Sequence, residues 1–114
     1  MKYDPAVAKT IDLNPAPVTV TITPGDPPRV QPDPQTVHLG KDEEVHWVCR
    51  DATGRECQFR VIFKAESPFR ERAFSHASAR SGRVRPDVRP DRHRRYAYTV
   101  VAEGTLDPEV IVDY

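Results

Sequence analysis

The chain has 114 residues, enough for one domain, and its 17 basic side chains balance its 17 acidic ones. This balance gives no overall charge that would attract nucleic acid or a membrane surface, and no apolar run approaches the ~20 residues of a membrane span. Fourteen valines stand against three leucines, and β-branched residues favour strands over helices. The composition therefore predicts an all-β domain with long, proline-marked loops.

The N-terminal third combines an arm, a strand and a proline-rich stretch. Residues 1–16 are predicted to be a loosely held arm, and residues 17–114 the single domain. Between Val18 and Thr23 apolar residues alternate with threonine, which predicts a half-buried strand. Five prolines in residues 24–34 predict a loop or an edge crossing. The N-terminus lacks the apolar core of a signal peptide, so a cytoplasmic location is expected if Met1 is the native start.

The middle of the chain predicts three more strands. Residues 36–39 and 45–49 alternate around a polar corner, where Gly40 is expected to take a positive φ. Trp47, the single tryptophan, is predicted to lie at the centre of the core. Residues 58–64 form the next strand, and its three inward-facing residues are Phe59, Val61 and Phe63.

The pattern then breaks before it returns to strands. One short helical turn is predicted near residues 68–78, capped by Ser67 and anchored by Phe69 and Phe74. A short strand is expected at residues 83–85. Two closing strands, residues 96–102 and 109–113, flank a turn. This gives about seven strands, which fit a Greek-key β-sandwich.

Residues 30–112 resemble the cupredoxin family of small copper-binding β-sandwiches. The resemblance rests on Val37, Leu39, Gly40, Asp42, Val45 and Trp47 in the corner motif, then on the alternating strands beginning at Phe59, Tyr96 and Val110. It implies a cupredoxin-like Greek-key fold.

The same resemblance implies that the copper ligands are missing. The family's first histidine falls at Phe59, its cysteine at Val100, its second histidine at Glu103 and its methionine at about Leu106. A type-1 copper site needs a thiolate and two imidazoles. The resemblance therefore implies a metal-free member, with no cofactor and no metal ligands.

Histidines and cysteines elsewhere leave an alternative open. If residues 36–49 form a direct hairpin, His38 and His46 face each other on its polar side, whereas the family geometry would separate them. A copper protein with displaced ligands, for example His38, His46 or Cys49, is the alternative. Cys49 and Cys57 flank a turn and match no CxxC signature; free thiols are predicted, with a disulfide as the other outcome.

No catalytic constellation is visible in the sequence. Ser75 and His76 lack the positioned acid and the oxyanion hole of a triad. No glycine-rich phosphate loop, HExxH motif or EF-hand loop occurs. We expect a non-enzymatic protein.

The most distinctive feature is the arginine-rich segment, residues 70–95, which contains no lysine. Guanidinium groups suit bidentate contacts with carboxylates and phosphates, which favours docking of an acidic protein partner. The non-functional interpretation is that the segment is a solvated loop whose arginines pair with acids in the first half of the chain. Binding of an anion or of nucleic acid through this segment is the alternative, and nucleic acid is the weaker form of it because residues 75–95 have no Phe, Tyr or Trp for base stacking. The candidate partner-binding residues are Arg70, Arg72, Arg80, Arg83, Arg85, Arg89, Arg92, Arg94 and Arg95.

Together these patterns predict a metal-free, cupredoxin-like interaction or assembly module without a membrane partner. The sequence does not specify an oligomeric state.

Overall fold

The structure is a computed structural model that describes residues 16–31, 36–40 and 42–113. Within these ranges the chain forms nine strands and no helix. Most of the predicted arm lies outside the described residues, and its last residue already begins the first strand. The strands are β1 (Ala16–Thr23), β2 (Arg29–Gln31), β3 (Thr36–Leu39), β4 (Glu43–Cys49), β5 (Arg60–Phe63), β6 (Ala73–Ser75), β7 (Tyr96–Ala102), β8 (Gly104–Leu106) and β9 (Glu109–Val112).

The smaller of two mixed sheets has the strand order β2-β1-β4. β1 runs antiparallel to β2 and parallel to β4, with Val20 opposite Trp47 in the parallel register. Val20 and Ile22 of β1 are buried, so the predicted alternation of this strand is confirmed. β2 falls within the stretch predicted as a loop or an edge crossing; it is only three residues long and lies at the edge of its sheet.

The larger sheet has the order β3-β9-β7-β5-β6, and β8 pairs with β7 off this path. β3 is parallel to β9, whereas the other pairs in this sheet are antiparallel. β3 and β4 therefore lie in different sheets although a short corner joins them. Consequently they do not form a direct hairpin.

The core lies between the inward faces of these strands and centres on an aromatic cluster, as predicted for Trp47. Trp47 is fully buried, and the ring centroids around it lie 5.0 to 6.5 Å away. Val61 and Phe63 of β5 are also buried, as are Phe59 just before this strand and the inward residues of β7. The aromatic cluster consists of Trp47, Phe63, Phe69, Phe74 and Tyr98.

The short helical turn predicted near residues 68–78 is wrong. Phe74 lies in β6, opposite Val61 of β5, and Phe69 forms an isolated bridge with Val84. Phe69 and Phe74 are five residues apart and would point to different sides of a helix, whereas a bridge residue and a strand residue joined by bends can both enter the aromatic cluster. The Ser67 hydroxyl does accept the Phe69 N–H at 3.0 Å, but it closes a turn rather than a helix.

Three local predictions also differ from the structure. Asp42, not Gly40, takes the left-handed conformation at the β3–β4 corner, with φ 63°, which aspartate tolerates better than most residues. The turn predicted between the closing strands contains β8, because Glu103 adopts φ 76° and folds the chain back onto β7. The strand expected at residues 83–85 is only the single bridge formed by Val84.

Candidate functional site

The second half of the arginine-rich segment, residues 80–95, is an irregular but anchored connection. The Arg85 N–H donates to the Pro68 carbonyl, and the Asp91 N–H donates to the Val112 carbonyl of β9, both at 2.8 Å. Val88 is buried and Val84 packs against the core, so the segment has apolar anchors. Its arginine side chains are consequently presented from fixed backbone positions.

The start of this connection is attached to β4 through a buried carboxylate. Glu44 is 5% exposed, pairs with Arg80 at 3.1 Å, and accepts the Gly82 N–H at 2.9 Å. The Ser81 N–H donates to the Val45 carbonyl, and the Val45 N–H donates to the Ser81 hydroxyl, both at 2.8 Å. The Arg80 guanidinium therefore balances a charge that the fold buries.

A second group of arginines gathers around Glu66. Arg85 donates to Glu66 at 3.0 Å and to Asp87 at 3.1 Å, and Arg94 donates to the other Glu66 oxygen. The Arg94 guanidinium also lies 4.8 Å from the centre of the Tyr96 ring, within cation–π range. These contacts tie the connection to the loop that precedes β6.

The remaining paired arginines reach other parts of the fold. Arg83 binds Asp42 at 3.0 Å, and Arg95 binds Glu109 at 3.1 Å. Arg72 donates to the carbonyls of residues 63 and 64. Five of the nine predicted partner-binding arginines are thus ion-paired within the chain. Only two of these five, Arg80 and Arg83, pair with acids in the first half of the chain.

Three arginines remain outside this internal network. Arg70, Arg89 and Arg92 are exposed and form no ion pair with any acid in the described ranges. Arg92 borders a surface depression that also contains Asp91 and Asp113, so its neighbourhood is mixed in charge. Sequence reasoning grouped all nine arginines, because the pairing depends on acids brought together by the fold.

Of the four positions that the resemblance assigns to copper ligands, two line one cavity. Phe59 and Glu103 line a cavity of about 330 Å³, together with His76. Val100 is fully buried in the core and faces Leu106 across the β7–β8 pair. Phenyl and aliphatic side chains at three of these four positions offer no metal-binding atom.

The alternative metal ligands do not converge. His38 pairs with Asp113 at 2.8 Å on the larger sheet, whereas His46 lies on the smaller one. His46 and Cys49 do border a common cavity of about 190 Å³. Among the described residues, no group of three or more His, Cys, Asp or Glu side chains is arranged to hold a metal ion.

The two cysteines come much closer than their sequence spacing suggests. Both are free thiols, yet their sulfur atoms are 2.7 Å apart. Burial, followed by the hydrogen bond and charge of Cys57, raises the pKa of Cys49 to about 12. The sequence signal for this pair was a turn flanked by two cysteines.

Comparisons with known proteins add no relative. No protein-family model, no curated protein and no solved structure matches this chain. In the described part of the chain, no helix has the length and apolar character needed to cross a membrane.

Proposed function

We propose that this protein is a non-enzymatic, metal-free interaction or assembly module with a cupredoxin-like Greek-key architecture. Its docking surface for an acidic protein partner lies on the arginine-rich segment. The observation that carries the proposal is the exposure of Arg70, Arg89 and Arg92 without an internal ion pair among the described residues.

The paired arginines support the proposal by fixing the segment. Arg80, Arg85 and Arg94 hold the connection against Glu44 and Glu66, so the backbone that carries Arg89 and Arg92 requires little ordering when a partner binds. Less conformational entropy is then lost on binding, which increases affinity. Arg70, Arg89 and Arg92 are the residues that remain available for intermolecular carboxylates.

An acidic protein is favoured over nucleic acid by the aromatic residues. Residues 75–95 contain no Phe, Tyr or Trp, and the neighbouring Tyr96 is buried beneath Arg94. Single-stranded nucleic acid is bound largely by stacking on exposed rings as well as by charge. Guanidinium groups without such rings are better suited to carboxylates.

The architecture supports the cupredoxin-like part of the proposal at one point. In the family geometry the two strands around the Gly40–Asp42 corner belong to different sheets, and β3 and β4 do so here. Phe59 and Glu103, at two of the positions that the resemblance assigns to copper ligands, line one cavity, and its lining lacks the ligand set of a type-1 site.

The test compares two triple variants with equal loss of charge. Arg70, Arg89 and Arg92 are replaced together by serine, and the matched control replaces Arg29, Arg55 and Arg60, which are also exposed but lie outside the arginine-rich segment. Binding of a labelled peptide of alternating glutamate and aspartate is measured over a salt series. A single-stranded oligonucleotide of equal charge is the comparison probe.

We expect the first triple variant to bind the peptide about ten-fold more weakly than wild type at low salt, with a difference that shrinks as salt screens the charges. The control should bind as wild type does. An equal loss of affinity for the peptide in both triple variants would show a non-specific charge effect and contradict the proposal. Tighter binding of the oligonucleotide than of the peptide would identify the segment as a nucleic-acid surface instead.

A further inference from the structure

The thiols of Cys49 and Cys57 face each other across a tight turn. Cys49 is the last residue of β4, and its carbonyl accepts the Cys57 N–H at 3.1 Å. Arg50 and Glu56 form a further bridge inside the turn. With the sulfur atoms 2.7 Å apart, the backbone already holds the pair within bonding reach.

The two thiols differ in their access to solvent. Cys49 is 2% exposed and belongs to the hydrophobic core, whereas Cys57 is only partly buried. Both border the cavity of about 190 Å³, which His46 and His76 also line. A small molecule that enters this cavity therefore meets Cys57 first.

We propose that Cys49 and Cys57 form a thiol–disulfide exchange site, which reacts with a low-molecular-weight disulfide of the glutathione type and closes to an intramolecular bridge. None of the nine candidate partner-binding arginines lines this cavity, so the exchange site does not depend on the proposed docking function. The reaction joins the end of β4 in the smaller sheet to the chain that leads into β5 in the larger one.

The reaction proceeds by two balanced exchanges. The Cys57 thiol loses its proton to solvent, and the thiolate attacks one sulfur of the small disulfide, which forms a mixed disulfide and releases one small thiolate. The Cys49 sulfur, after losing its proton to solvent, then attacks Cys57 Sγ, which forms the protein disulfide and releases the second small thiolate. Two cysteine thiols are oxidised, and one small disulfide is reduced to two thiols.

The environment of Cys49 determines this order. Its raised pKa of about 12 keeps it a thiol while Cys57 reacts, because only thiolates attack disulfides. Part of that rise comes from the hydrogen bond and the charge of Cys57. Once Cys57 is part of a neutral mixed disulfide these contributions disappear, and Cys49 ionises more readily for the second step.

The test follows the folded, full-length protein in glutathione buffers of graded oxidised-to-reduced ratio. Remaining thiols are blocked with an alkylating reagent under denaturing conditions, and the mass of the intact protein is measured by mass spectrometry. We expect wild type to lose two hydrogens without retaining glutathione, and to lose both alkylation sites together. The oxidised protein should melt about 5–10 °C higher than the reduced one, because the bridge constrains the unfolded chain.

Two variants separate the roles of the thiols. Cys49→Ser should accumulate a stable glutathione adduct on Cys57, whereas Cys57→Ser should remain largely unmodified because Cys49 is buried. Cys49→Ala replaces the first variant if the serine is poorly tolerated in the core. Wild type that keeps the glutathione adduct, or that forms the bridge only in denaturant, would overturn the proposal, and so would equal reactivity of the two single variants.

Discussion

Trp47 occupies the centre of the aromatic cluster, with four rings around it and no exposed surface. Replacement by alanine leaves a cavity that these neighbours cannot fill, because each is itself fixed by further ring contacts. We expect Trp47→Ala to lower the free energy of unfolding by about 3–5 kcal/mol in urea denaturation. Trp47→Phe should lower the free energy of unfolding by a smaller amount. A decrease below about 0.5 kcal/mol for the alanine variant would contradict the burial of Trp47.

Tyr98 makes the stability of this core sensitive to alkaline pH. Its hydroxyl accepts the Trp47 Nε1–H at 3.3 Å, and burial raises the pKa of Tyr98 from 10.0 to about 12. A raised pKa in the folded state contributes stability that is fully present below the unfolded value of 10. This contribution, about 3 kcal/mol, is lost as the pH rises from 10 to 12.

The corresponding experiment compares wild type with Tyr98→Phe between pH 8 and about pH 12. At pH 8 the variant should be less stable by about 1–3 kcal/mol, because the buried Trp47 N–H loses its acceptor. Above pH 10 wild type should lose stability more steeply than the variant. If the free energies of unfolding of the two proteins fall in parallel in this range, the ionisation of Tyr98 is not coupled to unfolding.

At the scale of elements, β8 depends on a close approach between two backbones. A Cβ atom at Gly104 would lie 2.6 Å from the Asp26 carboxylate and 2.8 Å from the Gly25 carbonyl oxygen. The Gly104 N–H donates to that same carbonyl at 2.7 Å. This contact and the hydrogen bond from the Gly25 N–H to the Ala102 carbonyl at 3.0 Å connect the β7–β8 pair to the proline-rich stretch after β1.

We therefore expect Gly104→Ala to lower the free energy of unfolding by about 1–3 kcal/mol, since the backbone of residues 25–26 must move to admit the methyl group. The neighbouring Thr105→Ala, at an exposed position of the same strand, should change it by less than about 0.5 kcal/mol. Thermal denaturation of both variants checks this. Equal stability of Gly104→Ala and wild type would mean that the two backbones are not in contact.

At the scale of the whole molecule, this two-sheet, all-β fold carries Phe59, Val100 and Glu103 at the positions where the resemblance to copper-binding sandwiches would require ligands. After Cu²⁺ loading we expect no intense thiolate-to-copper absorption, because Phe59, Val100 and Glu103 cannot form a type-1 site. Cys49→Ser is the control. A strong band in wild type that disappears in this variant would establish the alternative of displaced copper ligands.

Local pattern was enough to predict most strands and the centre of the core. Alternation of period two located β1, β3, β5 and β7 to within a few residues, because each of these strands buries one face. The same reasoning found Trp47, since a single large ring among alternating valines has few other places to lie. It failed where local residues permit two conformations, as between Ser67 and Ala79, where turn and helix signals coincide.

Only the tertiary structure decided which residues meet. Arg80 and Glu44 are 36 positions apart, and nothing in either local sequence indicates that β4 will bury that carboxylate beside the arginine-rich segment. The sequence by itself determined that this segment is rich in guanidinium groups, whereas long-range strand pairing determined which of them are neutralised. Arg70, Arg89 and Arg92 differ from the other arginines by their position in the fold rather than by residue type, because ion pairing depends on distance in space.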